Sequence, residues 1–341
     1  MNPTSKRILS KKSGVQVTIL GLGGAPLGDL YTVLGHREAI QTVEAAYDAG
    51  LTLFDTSPFY GHGLSEHRFG EALRSKPRTS YVLATKVGRY LIPPGDQPLD
   101  RTSFVGGLDF NHIFDYSREG TLRSIDQSMA RLGISTIDCL IIHDVDVWTH
   151  GNRAAYHERF KEAMSGSYPV LAELRSQGVI KAVGVGLNEV DCCMDFAVAG
   201  DFDFFLLAGR YTLLEQGALT DFLPLCLEKN IGIMLGGPYN SGILATGAVE
   251  GAYYNYKPAP AEIMERVRKI EAVCARHSVT LAAAALQFPL GHPSVSCMIP
   301  GAIYPSEVKR NAQLMAQPIP SDFWAELKHE RLIDEKAPVP N

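Results

Sequence analysis

The sequence predicts an α/β protein built as a closed (β/α)8 barrel, a TIM barrel. Eight short apolar segments with the character of strands run along the chain, and each is followed by a segment of helical periodicity. This strict alternation is typical of a parallel sheet, and eight such units match the number that closes into a barrel. We therefore expect the strand ends to open into loops at one shared rim.

The elements can be taken in chain order. Ahead of the barrel, residues 7–18 alternate polar and apolar side chains around Gly14, which predicts an N-terminal β-hairpin. The predicted strands are 19–22, 51–54, 81–84, 137–142, 181–186, 202–207, 231–235 and 295–299. The predicted helices cover 36–49, 65–74, 117–132, 169–176, a segment after Asn188, 217–229, 260–277, 279–290 and a segment that begins near Pro305.

Two long segments, 88–116 and 145–167, interrupt the alternation and are expected to be active-site loops. Because no break in composition marks a second domain, we expect residues 1–341 to form one barrel domain, with its core at about 15–315 and a tail at 317–341. A doubly wound dinucleotide-binding fold is the alternative. That fold requires a third glycine where this sequence has Pro26, three residues after Gly23.

Composition excludes several classes of protein. A net charge of −5 and a pI of about 6.1 argue against a nucleic-acid binder. No apolar run approaches the roughly 20 residues of a membrane helix, and residues 1–12 lack the apolar region of a secretory signal. The six cysteines have neither disulfide-like nor zinc-like spacing. We expect a cytoplasmic monomer or small homo-oligomer that binds no metal, nucleic acid or membrane.

Side chains capable of proton transfer stand at the predicted ends of three successive strands. Asp55 ends the second strand and Tyr60 lies on its exit loop, Lys86 ends the third, and His143 ends the fourth. These ends meet at one rim of a parallel barrel. A phenol has a pKa of about 10, which a neighbouring ammonium lowers. We expect Lys86 to lower the pKa of Tyr60, Asp55 to hold Lys86, and His143 to orient a substrate oxygen.

Each of these residues alone has an ordinary structural reading, so their combination carries the weight. With their flanking residues they resemble the aldo-keto reductase superfamily, in chain order over about residues 15–315. The matching positions are Phe54, Asp55, Tyr60, Ser65, Glu66, Gly70, Ala84, Lys86, Gly88, Asp138, His143, Gly178, Gly184, Asn188, Pro238, Ser241, Gly242, Pro300, Gly301 and Asn311. The resemblance implies an oxidoreductase in which Tyr60 is the general acid and base, Asp55 and Lys86 tune it, and His143 orients the substrate.

The resemblance also implies a nicotinamide cofactor. Its binding residues would be Gly24, Asp55, Asn188, Gly237, Pro238, Ser241, Gly242, Leu244, Gly301, Ala302, Glu307 and Asn311. Where reductases of the superfamily carry a lysine and an arginine for the 2′-phosphate of NADP, this sequence has Gly301 and Glu307. A carboxylate repels a phosphate and accepts from a ribose hydroxyl, so we expect NAD. Lys309 and Arg310 follow closely, so NADP stays possible.

Two positions depart from the superfamily pattern. Gly236 stands where a tyrosine usually stacks on the nicotinamide, and Ala208 stands where a glutamine usually binds its carboxamide. Asn188 remains for the carboxamide.

The closer likeness is to the D-threo-aldose and L-fucose (L-galactose) 1-dehydrogenases and to the pyridoxal 4-dehydrogenases, carried by residues 114–117, 143–146 and 208–214. It implies oxidation of an aldose such as L-fucose, L-galactose or D-arabinose at C1 to the lactone. Phe59, Tyr60, His143 and Trp148 are the expected substrate residues. The alternatives are a pyridoxal 4-dehydrogenase or general aldehyde or ketone reductase, and a nucleotide-sensing subunit with little turnover. A metal-dependent hydrolase is disfavoured by the absence of HxH or HExxH spacing.

Overall fold

Eight parallel strands form the central sheet of the protein, which a computed structural model describes for residues 1–340. Together with three two-stranded hairpins, the strands of the described residues are β1 (Lys6–Ile8), β2 (Gln16–Thr18), β3 (Leu22–Gly23), β4 (Leu53–Asp55), β5 (Val82–Val87), β6 (Arg89–Ile92), β7 (Asn111–Phe114), β8 (Cys139–His143), β9 (Ala182–Leu187), β10 (Phe204–Ala208), β11 (Gly232–Gly236), β12 (Tyr253–Tyr254), β13 (Lys257–Pro258) and β14 (Val295–Ile299). The sheet order is β3-β4-β5-β8-β9-β10-β11-β14. Parallel bridges from Leu20 to Met298 and from Gly23 to Gly301 join its two edges, so the sheet closes into the expected (β/α)8 barrel.

Helices surround the barrel. They are α1 (His36–Asp48), α2 (Leu64–Leu73), α3 (Arg118–Leu132), α4 (Val147–His150), α5 (Arg153–Ser165), α6 (Ser167–Ser176), α7 (Val190–Ala199), α8 (Phe222–Glu228), α9 (Ile243–Thr246), α10 (Ala261–Arg276), α11 (Leu281–Gln287), α12 (Pro305–Ala316) and α13 (Ser321–His329). Shorter 3-10 turns occupy Pro26–Gly28, Arg78–Ser80, Gly217–Leu219, Asn240–Gly242 and Phe288–Gly291. Within residues 1–340, no helix combines the length and apolarity needed to cross a membrane.

The N-terminal hairpin closes the bottom of the barrel. Leu9 and Val17, from the hairpin, are fully buried and belong to the same apolar cluster as Ile141, Phe204 and Met234 on the barrel strands. Full burial of such side chains stabilises by about 1.5–3 kcal/mol each, so the plug is held firmly. The interior is therefore filled from below, and a ligand reaches it from the opposite rim, where the strands end.

The structure differs from the sequence prediction in the segments between strands. The segment 88–116, predicted to be irregular, contains the antiparallel hairpin of β6 and β7. The segment 145–167 contains α4 and α5, and the predicted tail contains α13, which buries Trp324. The sequence did not reveal these elements because they are stabilised by packing on the barrel rim and on α10, which local periodicity does not show.

Candidate active site

Tyr60, His143 and Asn188, which end or follow barrel strands, line a cavity of about 400 Å3 at the C-terminal rim of the barrel. It is lined by Ala25, Leu30, Tyr31, Phe59, Tyr60, Arg89, Thr102, Ser103, Phe104, His143, Asp144, Trp148, Thr149, Gly186, Leu187, Asn188, Leu206, Ala208 and Tyr256. A wider groove of about 890 Å3 lies on the outer face of the protein, between Gln216 and Lys336. That groove contains none of the strand-end residues, so the rim cavity is the candidate active site.

A buried ion pair forms the base of the site. Asp55 ends β4, Lys86 lies in the neighbouring strand β5, and their side chains are 2% and 1% exposed. The Lys86 ammonium donates to both Asp55 carboxylate oxygens at 2.8 Å and to the carbonyl of Thr56 at 2.7 Å. Burial raises the pKa of Asp55 and lowers that of Lys86, while their mutual attraction opposes both shifts.

Tyr60 and His143 lie above this pair. The Lys86 nitrogen is 4.7 Å from the centre of the Tyr60 ring, and the Tyr60 and His143 rings meet edge to face with centres 6.0 Å apart. Tyr60 and His143 thus line the cavity, while the Lys86–Asp55 pair lies against the Tyr60 ring and is not part of the lining. The three donors of the Lys86 ammonium are directed to Asp55 and Thr56, so the ammonium acts on Tyr60 through the ring face and through space.

The expected effect of Lys86 on the acidity of Tyr60 differs from what the structure indicates. The pKa of Tyr60 lies well above its ordinary value because burial disfavours the phenolate and the carboxylates of Asp55 and Asp144 repel it. The cation that acts in the opposite direction is Arg89. Tyr60 thus holds its proton at neutral pH when the cavity contains no ligand.

Arg89 is a residue of this cavity that the sequence did not single out. It is 3% exposed and starts β6, two residues after β5 ends. Its guanidinium lies 2.8 Å from the Asp144 carboxylate and 3.2 Å from Nδ1 of His143. A cation three residues after Lys86 was the available signal, but the sequence of segment 88–116 gave no strand register from which to infer where the Arg89 side chain points.

Aromatic side chains form the rim of the cavity. Trp148 is 46% exposed, and its ring centre is 6.4 Å from that of Tyr256, which lies at the tip of the β12–β13 hairpin. Phe59 is more enclosed, since it contacts Phe104 edge to face and carries the guanidinium of Arg89 on its ring. Trp148 and Phe59 were expected from sequence, whereas Tyr256 lies in a small hairpin that the sequence did not indicate.

A turn beside the cavity gathers the other predicted ligand-binding residues. Gly237, Ser241 and Gly242 have positive φ of 59°, 63° and 109°, and a Cβ on Gly242 would meet open space. The Tyr239 hydroxyl donates to Asn311 of α12 at 2.8 Å and so ties this turn to the segment that follows β14. Successive left-handed residues turn backbone N–H groups toward one side, an arrangement that suits anionic oxygens.

Comparison with known proteins identifies the family. The sequence profile of the Aldo/keto reductase family matches residues 19–330. The chain belongs to this family. It is 40% identical to the pyridoxal 4-dehydrogenase of Microbacterium luteolum over 98% of this chain and 99% of the relative. It is 38% identical to the D-threo-aldose 1-dehydrogenase of a Pseudomonas species over 94% and 96% of the two chains. The L-galactose dehydrogenase of Arabidopsis thaliana is 27% identical over 89% and 86%.

Solved structures of aldo-keto reductases share the fold. An aldo-keto reductase from Bacillus halodurans, in its holo form, superposes with a TM-score of 0.71 at 23% identity, over 99% of this chain and 98% of the other. A glycerol dehydrogenase from Gluconobacter oxydans gives a TM-score of 0.70 at 20% identity, over 100% and 98%. The protein is therefore an oxidoreductase of the aldo-keto reductase family, whose members use nicotinamide dinucleotides.

The described residues of this aldo-keto reductase fit such a dinucleotide. The open turn at Ser241 and Gly242 presents backbone groups suited to phosphate oxygens, and it lies beside the cavity because Ser241 accepts from the backbone of Tyr256 at 2.9 Å. On the cavity wall, the Asn188 side-chain nitrogen donates to Asp146 at 3.1 Å. Its oxygen is thus the atom with capacity to accept from a carboxamide.

Other predicted cofactor residues lie in packed surroundings. The Gly24 amide donates to the Asp55 carbonyl at 2.8 Å, and a Cβ there would come within 2.7 Å of the same oxygen. Leu244 and Ala302 have buried side chains, Gly301 packs against Pro26, and Pro238 follows Gly237 in the turn. These positions shape the backbone beside the cavity, and only their main-chain atoms are available to a ligand.

Glu307 has a local partner in the structure. It lies in the first turn of α12, and its carboxylate accepts from the backbone N–H of Ile303 at 2.8 Å. Part of its role is therefore to stabilise the start of the helix, where a negative charge is favourable. Lys309 and Arg310, on the same helix, are exposed.

Proposed function

We propose that this aldo-keto reductase is a dehydrogenase that oxidises an aldose at C1 to the lactone with NAD as the acceptor. The proposal is carried by one observation: a phenol and an imidazole line one cavity with an aromatic rim, and a buried ammonium–carboxylate pair lies against the phenol ring. Trp148 offers a flat apolar surface to the C–H face of a sugar, and Asp144 and Asn188 offer hydrogen-bond acceptors to its hydroxyls.

In this proposal the C1 hydroxyl of the cyclic sugar lies between Tyr60 and His143. Tyr60 takes the hydroxyl proton as the carbon–hydrogen bond breaks and the carbonyl forms, and His143 donates to the same oxygen to hold it. The nicotinamide, when bound, accepts the hydride. The Lys86 ammonium lies 4.7 Å from the centre of the Tyr60 ring and favours the phenolate at the moment of proton transfer, whereas the Asp55 carboxylate opposes it.

The direction of the pKa shift predicts how the rate depends on pH. Because the pKa of Tyr60 is raised, its phenolate is a minor species at neutral pH, and its fraction grows about tenfold per pH unit below the pKa. We expect the rate of oxidation to rise with pH, and the rate of the reverse reduction, which needs the protonated phenol, to stay level over the same range.

NAD is favoured over NADP by charge. Glu307 places a carboxylate where a 2′-phosphate would be recognised in the NADP-dependent relatives of the superfamily pattern, and the two would repel each other. The helix-start hydrogen bond to Ile303 keeps this carboxylate in place.

A second candidate is the oxidation of pyridoxal, which is favoured by the 40% identity to the Microbacterium luteolum pyridoxal 4-dehydrogenase. Tyr31, Phe104 and Tyr256 on the cavity wall would also suit a flat heteroaromatic ring. The two candidates share the chemistry of Tyr60 and differ in what the rim recognises.

One experiment separates these readings. The purified protein is assayed with L-fucose, L-galactose, D-arabinose and pyridoxal, each with NAD and NADP, and the lactone products are identified by mass spectrometry. Tyr60→Phe is expected to lower turnover by about 10²- to 10⁴-fold, the range of a lost general base, while NAD binding measured by fluorescence is retained. Turnover with pyridoxal alone would select the second candidate. Nucleotide binding without turnover on any substrate would reject both and leave a nucleotide-binding protein.

A further inference from the structure

Arg89 occupies a place between the catalytic candidates that the proposed function does not yet use. Its guanidinium bridges Asp144 at 2.8 Å and Nδ1 of His143 at 3.2 Å, and the side chain is 3% exposed. Asp144 in turn lies 3.3 Å from Nε2 of the same imidazole. A cation and a carboxylate therefore flank the two ring nitrogens of His143.

The position of Arg89 is strongly determined. Its guanidinium carbon lies 4.2 Å from the ring centres of both Phe59 and Phe114, so the cation is held between two aromatic faces. The Ser124 hydroxyl donates to the backbone carbonyl of Arg89 at 2.7 Å. The preceding Gly88 has φ of 103°, and a Cβ there would overlap the Tyr116 ring at 2.2 Å. This turn directs the chain out of β5 so that residue 89 points into the cavity.

The chemistry of a guanidinium decides what this contact means for His143. Arginine has five N–H donors and no acceptor, so at Nδ1 it can only donate to a lone pair. The Ser57 hydroxyl, 3.4 Å from the same nitrogen, can donate there as well. Nδ1 is therefore the unprotonated nitrogen, and in the neutral imidazole the proton lies on Nε2. In that tautomer the donor nitrogen is the one on the far side of the ring from the guanidinium.

We propose that Arg89 is a positioning residue that fixes His143 in the neutral Nε2–H tautomer, so that His143 donates a hydrogen bond to the substrate oxygen and never accepts one from it. The proposal rests on the proposed function for the identity of the substrate oxygen. The tautomer itself is a property of the protein alone.

The charges around His143 support a neutral ring. The titratable groups that face it are Arg89 and Lys86 on one side and Asp144 and Tyr60 on the other. Burial together with the two cations places the pKa of His143 well below its ordinary value. Removal of Arg89 would leave Asp144 without its cation, and the pKa of His143 would then rise.

The tautomer can be measured directly in the full-length protein labelled with ¹⁵N-histidine. Two-dimensional NMR of the imidazole nitrogens, assigned by comparison with His143→Gln, distinguishes a protonated from an unprotonated ring nitrogen. We expect protonated Nε2 and unprotonated Nδ1 in the wild-type protein, and a mixture of both tautomers in Arg89→Met. A proton on Nδ1 in the wild-type protein would overturn the proposal without any need for the variant to fold.

Kinetics provide a second readout. Loss of a group that orients a catalytic ligand typically costs about 10- to 100-fold, and we expect a decrease of that order in kcat/KM for Arg89→Met, mostly in kcat. In the reductive direction, where Tyr60 stays protonated, the acidic limb of the pH–rate profile, at which His143 becomes charged, should lie at higher pH in Arg89→Met than in the wild-type protein. Arg89→Lys restores the cation and is expected to move this acidic limb back toward the wild-type position.

Arg68→Met is the matched control. Arg68 is as buried as Arg89 and forms an ion pair with Asp29 at 2.6 Å, with both side chains 3% exposed, but it lies outside the cavity lining. The Arg68→Met variant should lower the free energy of unfolding without changing the ¹⁵N signals of the His143 ring or the acidic limb of the pH–rate profile. If Arg89→Met likewise changes only stability, or if Arg68→Met shifts the His143 tautomer equally, Arg89 has a packing role and the proposal fails.

The proposed function fails separately from this inference. If no sugar or pyridoxal is turned over, the proposed function is lost, whereas the NMR comparison of wild-type protein and Arg89→Met still decides whether Arg89 sets the tautomer.

Discussion

Replacement of Asp55 by asparagine tests the buried ion pair beneath Tyr60. Lys86 donates to both Asp55 oxygens at 2.8 Å, and both side chains are at most 2% exposed. Asparagine keeps the shape of the side chain and removes its charge, so the Lys86 ammonium stays buried beside the Thr56 carbonyl and one amide oxygen. Breaking one side of a buried pair costs about 3–5 kcal/mol, and we expect Asp55→Asn to lose that much of its free energy of unfolding.

The double variant Asp55→Asn with Lys86→Met separates stability from chemistry. Removing the second charge as well leaves no uncompensated ammonium in the interior, so the double variant should recover part of the stability lost in Asp55→Asn. Turnover should stay low in both. Equilibrium unfolding in urea gives the free energies, and a double-mutant cycle gives the coupling. A loss below about 1 kcal/mol in Asp55→Asn, the range of a solvent-exposed pair, would refute the reasoning. A double variant as unstable as the sum of its singles would do the same.

Three further predictions concern single sites. His292 is buried, and burial lowers its pKa to about 4. Its contribution to the free energy of unfolding is therefore complete above about pH 6.5 and is lost as the pH falls toward 4. His292→Asn should flatten the pH dependence of the urea midpoint between these two pH values. Glu307→Gln should improve NADP binding relative to NAD by roughly fivefold, equivalent to about 1 kcal/mol of relieved repulsion, with Glu262→Gln in the first turn of α10 as the control in a fluorescence titration. Trp148→Ala should raise KM for the sugar by about 2- to 10-fold, equivalent to 0.5–1.5 kcal/mol of aromatic contact, with little change in kcat in steady-state assays.

The arrangement of the barrel could be predicted from sequence because it depends on local signals that repeat. Each apolar segment has strand length, each is followed by a helix, and closure of eight such units requires all strands to end at the same rim. That is why Asp55, Lys86 and His143 could be expected at one rim from the sequence, and the structure places His143 and the Asp55–Lys86 pair beside Tyr60. The predicted strand 81–84 corresponds to β5 (Val82–Val87). Lys86 lies near the C-terminal end of the strand with either set of bounds, so the error did not change the rim to which this residue was assigned.

The remainder of the site depends on segments that have no local signature. Arg89 enters the cavity because Gly88 turns the chain with φ of 103° and β6 pairs with β7 across an 18-residue interval between their facing ends. Tyr256 reaches the rim because Asn255 and Tyr256 both adopt positive φ, at 50° and 62°, in the turn between β12 and β13. Asparagine adopts that conformation readily but tyrosine does not, so a single asparagine without a glycine after it was too weak a signal to predict the turn.

Two buried ion pairs lie beside the two residues proposed to handle protons, Tyr60 and His143. Asp55–Lys86 and Arg89–Asp144 each remove charges from water, and the desolvation of such pairs often exceeds what they return, so an apolar filling of the rim would stabilise the fold at least as well. The rest of the barrel interior follows that simpler rule, with aliphatic, aromatic and free cysteine side chains packed down to the hairpin plug. Two of the buried ion pairs thus lie beside the phenol and the imidazole, although buried pairs such as Arg68–Asp29 also occur elsewhere in the protein. One pair lies under Tyr60 and the other against His143, but Arg89 and Asp144 also act on the pKa of Tyr60, and Lys86 also acts on that of His143. A change in either pair is therefore expected to shift the titration of both groups.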